Sequence, residues 1–315
     1  MDITIPALRM PDPLLPHAHR RSVPGCAESE SIRADPNGPG DVRVGRVVLR
    51  VRGWRRRFGR ELGASFPAGD FALWAAGVTF FGVLGVVPMA LVSLWLAAAL
   101  VGEDQLVSSM HIAISGLPGG HGTPEAMRVL TDTAIRLSGW QVLVALFPAS
   151  MYGEGLRRAF RQLSPAVEER FIGWRGRFGL LPVVAVGPAL VLLLLAAAPV
   201  VAPLYRSGGG SLALGVVIAF HVVWVAISTA LVLIYRWVGG RRARLGPLAG
   251  AGFTAGAFLS GFLQGFVLFL AIPVEWSLPF GGLPIFGAVV ALALWLYALH
   301  LIVLLGYRLL LVLDR

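Results

Sequence analysis

The sequence contains no lysine: all 27 of its basic residues are arginine. With its wealth of Ala, Gly and Val, that bias is the composition of a GC-rich bacterial genome and by itself says nothing about chemistry. Cysteine occurs once, as Cys26, which excludes an intrachain disulfide and a cysteine-based zinc site. Charge is scarce as well, at 14% of residues against roughly 25% in an ordinary soluble domain. There is too little polar surface to coat a water-soluble globule.

Apolar residues fill the space, at 56% of the chain and a mean hydropathy of +0.74. They fall in runs long enough to cross a bilayer, which needs about 20 residues per helix. The formal charge of +10 invites a nucleic-acid partner. The arginines, however, cluster beside the hydrophobic segments, where positive charge keeps loops in the cytoplasm and meets anionic lipid head groups. The partners expected are therefore the phospholipid bilayer and anionic head groups, not nucleic acid.

Residues 1–42 hold seven prolines, scattered charges and no apolar periodicity, the composition of a disordered cytoplasmic tail. No apolar stretch of the signal-peptide kind follows Arg20–Arg21 or precedes Cys26, so neither is read as an export or lipidation signal. Within 43–66, Val44, Val47, Val48, Val51, Trp54, Phe58 and Leu62 share one helical face, and Arg43, Arg46, Arg50, Arg57 and Arg60 occupy the rest. That is a basic amphipathic juxtamembrane helix, suited to the head-group plane or to packing on the cytoplasmic ends of a bundle.

The remaining pattern predicts an all-α, polytopic membrane domain over 70–311 with six transmembrane helices, at about 72–101, 130–152, 178–205, 212–238, 247–272 and 283–311. The second run is short and holds Gln141 and Pro148. Loop charge supports a crossing there: acids outnumber arginines before it (Glu103, Asp104, Glu125, Asp132), and arginines outnumber acids after it (Arg157, Arg158, Arg161, Arg170, Arg175, Arg177). Alternation continues to the end, placing both termini in the cytoplasm of a bacterial inner-membrane protein. Small residues at four-residue spacing, Gly246–Gly250, Gly252–Gly256–Ser260 and Gly261–Gly265, allow close helix packing within the chain, or else a homodimer seam.

Several local patterns are familiar. Ala76-Gly77-Val78-Thr79-Phe80-Phe81 followed by Pro88, the Leu156–Leu163 stretch, Tyr235-Arg236, and Phe280-Gly281-Gly282 with Leu294-Trp295-Leu296-Tyr297 and Leu304-Leu305-Gly306 resemble, in order, the signatures of the YihY/virulence factor BrkB family. The likeness covers about Asp70 to Leu311. Arg161 stands where the family pattern has Asn, Phe280 where it has Tyr, and Arg308 where an acid is common. The resemblance implies a six-span inner-membrane protein once labelled ribonuclease BN and associated with envelope integrity, lipid movement and serum resistance.

Metal-assisted phosphodiester cleavage needs carboxylates or histidines converging on a cation, and the sequence offers no such pattern. His17, His19, His111 and His121 lie in the tail or an outer loop, Glu168–Glu169 in a solvated connection, and no nucleotide-loop or nucleophile-elbow motif occurs. No catalytic residue, metal site or cofactor is expected, and the ribonuclease reading ranks last. Polar groups at membrane depth are costly unless they face a cavity or a partner, which selects His221, Gln264 and His300 as a candidate polar path. Gln141, Ser228, Thr229 and Thr254 stand behind them. Glu154 with Arg157 and Arg158, together with Arg236, could bind a lipid phosphate, and positive-inside anchoring accounts for them too. The functional expectation is a transporter-class protein for a lipid or amphiphilic envelope component. The alternative is a non-transporting scaffold that recruits an envelope protein partner through the Arg-rich helix and outer loop.

Overall fold

In hydrocarbon a helix is the one open-ended structure that pairs its own backbone N–H and C=O groups, and every element among the described residues is helical. The computed structural model describes residues 70–116, 123–164, 172–240, 242–270 and 281–314. The expected tail (1–42), the expected amphipathic helix (43–66) and Glu168–Glu169 lie outside them. The described residues belong to one unit, Gly53–Arg315.

Helix α1 spans Asp70–Val101, α2 Glu103–Ser115, α3 Thr123–Ile135, α4 Gly139–Leu163, α5 Ile172–Gly179, α6 Leu181–Ser207, α7 Gly209–Leu233, α8 Leu245–Leu270 and α9 Pro284–Leu313. A π-turn, Ile234–Val238, extends α7, and the Gly239 N–H reaches back to Ile234 O at 3.0 Å. Among the described residues, five stretches are long and apolar enough to cross a membrane: α1, α5–α6 together, α7 with its π-turn, and the larger parts of α8 and α9. They leave large apolar side chains uncovered, Phe80, Phe178, Leu214 and Phe258 among them. Water would penalise that surface and acyl chains would not. The chain is a multi-pass helical membrane protein.

The run expected at 130–152 is two helices, broken at Arg136–Ser138. Ser138 caps α4: its Oγ accepts from the Gln141 N–H, and the Gln141 side chain accepts from the Ser138 N–H at 2.8 Å. This reciprocal Ser-x-x-Gln box satisfies helix-start donors, so the Gln141 side chain is engaged in capping α4. α4 is not among the five apolar stretches, because its last turns hold Glu154, Arg157, Arg158 and Arg161. It nevertheless runs the depth of the bundle. Trp95, near the end of α1, donates to Leu137 O just before α4 at 3.0 Å, and Arg308, near the end of α9, donates to Leu163 O at its far end at 3.0 Å.

Packing is closest where glycine brings backbones together. A Cβ on Gly153 would fall on the Gly176 carbonyl, and one on Gly176 on the Gly153 carbonyl, so α4 and α5 cross in backbone contact. Of the small-residue pattern in α8, Gly252 and Gly256 receive Val232 and Ser228 of α7, and Ser260 donates to Phe220 O at 2.8 Å. That row serves packing within the chain. Near the α9 C-terminus, Phe160 stacks on Tyr307 at 4.1 Å between ring centroids and meets Tyr235 edge-on at 5.9 Å. Leu156, Leu180, Leu248, Leu304 and Leu310 bury the same cluster. At the other end a second cluster joins α2 and α3 to α1 and α6 through Leu94, Leu106, Met110, Ala134 and Leu195.

Candidate functional site

Most of the described arginines gather at one end of the bundle, where α4, the π-turn and α9 finish and α5 begins. A helix C-terminus leaves four carbonyls without intrahelical partners and carries partial negative charge, and three long side chains answer that need across helices. Arg157, 4% exposed, donates from Nη1 to Val238 O at 2.6 Å. Arg308 caps Leu163 O, and Tyr307 donates to Gly239 O at 3.1 Å. Gly240, at φ +71°, leaves the room in which the Arg157 guanidinium sits; a Cβ there would overlap it and strain the left-handed backbone. Arg236 closes its own connection by donating to Ala243 O at 3.0 Å.

Glu154 works differently. Its carboxylate accepts from Arg158 Nη2 at 2.6 Å and from Arg177 Nη2 at 2.8 Å, tying α4 to α5. Arg177 also lies over the Phe147 and Trp174 rings, so its charge is met on two sides. Arg158 is 60% exposed. It lines, with Arg161 and Gln162, a cleft of about 510 Å³ between α1 and α4 whose other wall is Leu73, Trp74, Val78 and Phe81. Guanidinium and amide groups thus stand beside a largely apolar wall.

Of the four residues expected to hold a head group, Arg158 lines this cleft and Glu154 is its ion-pair partner. Arg157 and Arg236 are committed to backbone carbonyls instead. Sequence reasoning missed Arg161, Gln162 and Trp74 as lining residues, and counted Arg177 only as loop charge. The available signal was the helical spacing of Glu154, Arg158 and Arg161 along α4, which puts the three on one face.

The three residues expected to form a polar path do not meet. His300 is buried, 3% exposed, among α1, α4 and α9. Thr79 donates its hydroxyl to Ala75 O at 2.8 Å, so its lone pair faces His300 Nδ1 at 3.1 Å. His300 then donates from Nδ1, and its Nε2 accepts the Tyr152 hydroxyl proton at 3.1 Å. Each group in this chain of bonds is satisfied with the imidazole neutral. Gln264 of α8 accepts from the Tyr205 hydroxyl of α6 at 3.0 Å, in a separate cavity of about 220 Å³. His221 is exposed on α7, its Nδ1 donating to Val217 O at 2.7 Å, with Phe220 and Trp224 beside its ring. Among the weaker candidates, Thr229 donates to Val225 O one turn back, and Ser228 is buried against Gly256.

No curated protein and no solved structure matches the chain. A family model described as "Virulence factor BrkB" matches residues 64–315.

Proposed function

Since the chain belongs to the virulence factor BrkB family, we propose that it is a six-span bacterial inner-membrane protein that assists movement of a lipid or another amphiphilic envelope component. α4 is the sixth crossing in this reading, supported by its course from the Trp95 contact to the Arg308 contact. The arginine-rich end then faces the cytoplasm, as the asymmetry of loop charge favours, and both termini lie there.

The observation that carries the proposal is the α1–α4 cleft. A phosphate-bearing head group needs charged or forked donors, and its acyl chains need an apolar wall. Arg158, Arg161 and Gln162 offer the first, and Leu73, Trp74 and Phe81 the second. A cleft at the cytoplasmic rim would take the head group from the inner leaflet. Arg157 and Arg236, bonded to backbone carbonyls, do not line the cleft. The proposed role needs no catalytic chemistry and no cofactor.

The test is reconstitution into liposomes with labelled phospholipid, following movement between leaflets. The wild-type chain should accelerate it over empty vesicles, and Arg158→Ala/Arg161→Ala should slow it at least severalfold without changing the yield of folded protein. No movement across several lipid classes would leave the non-transporting scaffold as the better reading.

A further inference from the structure

We propose that the cavity beneath α2, at the end of the bundle opposite the Glu154–Arg158 pair, is a second lipid site, one that takes the ester carbonyl of a membrane lipid on the Gln264 amide. The assignment rests on the bilayer reading of the spans and does not require that the lipid be moved.

Four helices build the cavity, through Ala113 of α2 with Gly116 just after it, Ala198, Ala202 and Tyr205 of α6, residues of α7, and Gln264 of α8. No charged residue among those described lines it, so an ionised head group would lose its hydration there without compensation. Tyr205 and Gln264 are its polar groups. The Tyr205 hydroxyl proton occupies the Gln264 Oε1, and a glutamine amide has two N–H donors besides. No described residue accepts from them. A donor left unmet at the edge of hydrocarbon is costly, and an acceptor supplied by the surroundings removes that cost.

Depth and size identify the acceptor. Gln264 is hydrogen-bonded to Tyr205 and shares its depth. Tyr205 is two residues before the α6 end at Ser207, the interfacial level where tyrosine rings gather. The acceptors abundant at that level are the ester carbonyls that join acyl chains to glycerol. A volume of about 220 Å³ is on the order of seven times a water's share of liquid volume. That admits a carbonyl and the first methylenes of one chain, and excludes a whole lipid.

The experiment titrates the purified full chain in detergent with a short-chain diester phosphatidylcholine and with its diether counterpart, which lacks the carbonyl, reading half-saturation from thermal stabilisation. The diester should bind about fivefold more tightly, the worth of one neutral hydrogen bond. Gln264→Leu should abolish the preference, and Ala202→Leu, which fills the cavity and leaves Gln264 in place, should abolish it too. Should Gln264→Leu fail to fold, the Ala202→Leu chain decides alone. Arg158→Ala should leave the preference intact, so that failure of the cleft and failure of this site are told apart. Equal half-saturation by the two lipids, as a water-filled cavity would give, overturns the assignment, as does a preference that survives either cavity substitution.

Discussion

Arg157 and Arg158 are neighbours of identical chemistry, and replacing each by alanine should give opposite results. Arg157→Ala removes a guanidinium that is 4% exposed and donates to Val238 O at 2.6 Å. A hydrogen bond from a charged donor contributes about 1.5–3 kcal/mol, and the π-turn carbonyl loses its partner as well. Some 2–3 kcal/mol of destabilisation is expected, a fall in melting temperature of roughly 3–5 °C for a chain of this size. Arg158 is 60% exposed and pairs with Glu154 one turn away, an arrangement worth about 0.3–0.5 kcal/mol. Arg158→Ala should therefore melt within about 2 °C of the wild type while binding anionic lipid less well. Thermal unfolding in detergent, monitored by size-exclusion fluorescence, and a lipid-binding titration on the same samples separate the two residues. Gly240→Ala supplies a cross-check, since its Cβ would meet the Arg157 guanidinium. It should cost more in the wild-type chain than in the Arg157→Ala chain, where only the backbone strain of about 1–2 kcal/mol remains. Arg157→Ala with unchanged melting and lost lipid binding would refute the reasoning and return Arg157 to the cleft.

The His300 network predicts that Tyr152→Phe, which removes the donor to Nε2, costs about 0.5–1.5 kcal/mol, measured by chemical or thermal unfolding; no change would mean that the bond does not persist in the bilayer. Ser138→Ala should cost about 1 kcal/mol through loss of the α4 cap, without changing lipid movement in liposomes. His221→Leu should leave lipid movement unaltered, because His221 lies on the exposed face of α7, apart from both cavities; a transport defect would place a path there. In a Cys26→Ser background, Arg136→Cys should react with an impermeant thiol reagent in intact cells and Arg242→Cys should not; the reverse pattern inverts the orientation.

Five apolar helices among the described residues were legible because hydropathy is summed over a local window. α8, Leu245–Leu270, and α9, Pro284–Leu313, fall on the last two apolar runs. The break before α4 was equally local, carried by the Ser138-x-x-Gln141 pattern, but loop charge drew the reading past it. The roles of single polar residues were not legible in this way. Tyr152 joined no candidate list, because a tyrosine at membrane depth reads as apolar packing until His300, 148 residues away, is seen beside it.

Composition alone determined the solvent of this protein, since no arrangement of so few charges can cover so much apolar surface, and the placing of arginines indicated which ends of the helices go together. Tertiary structure decided what each arginine does. Successive residues on a helix point about 100° apart, so one step along α4 turns Arg157 inward to a carbonyl 81 positions distant and Arg158 outward to the cleft. Whether a guanidinium is structural or available depends on a partner that the local sequence does not contain.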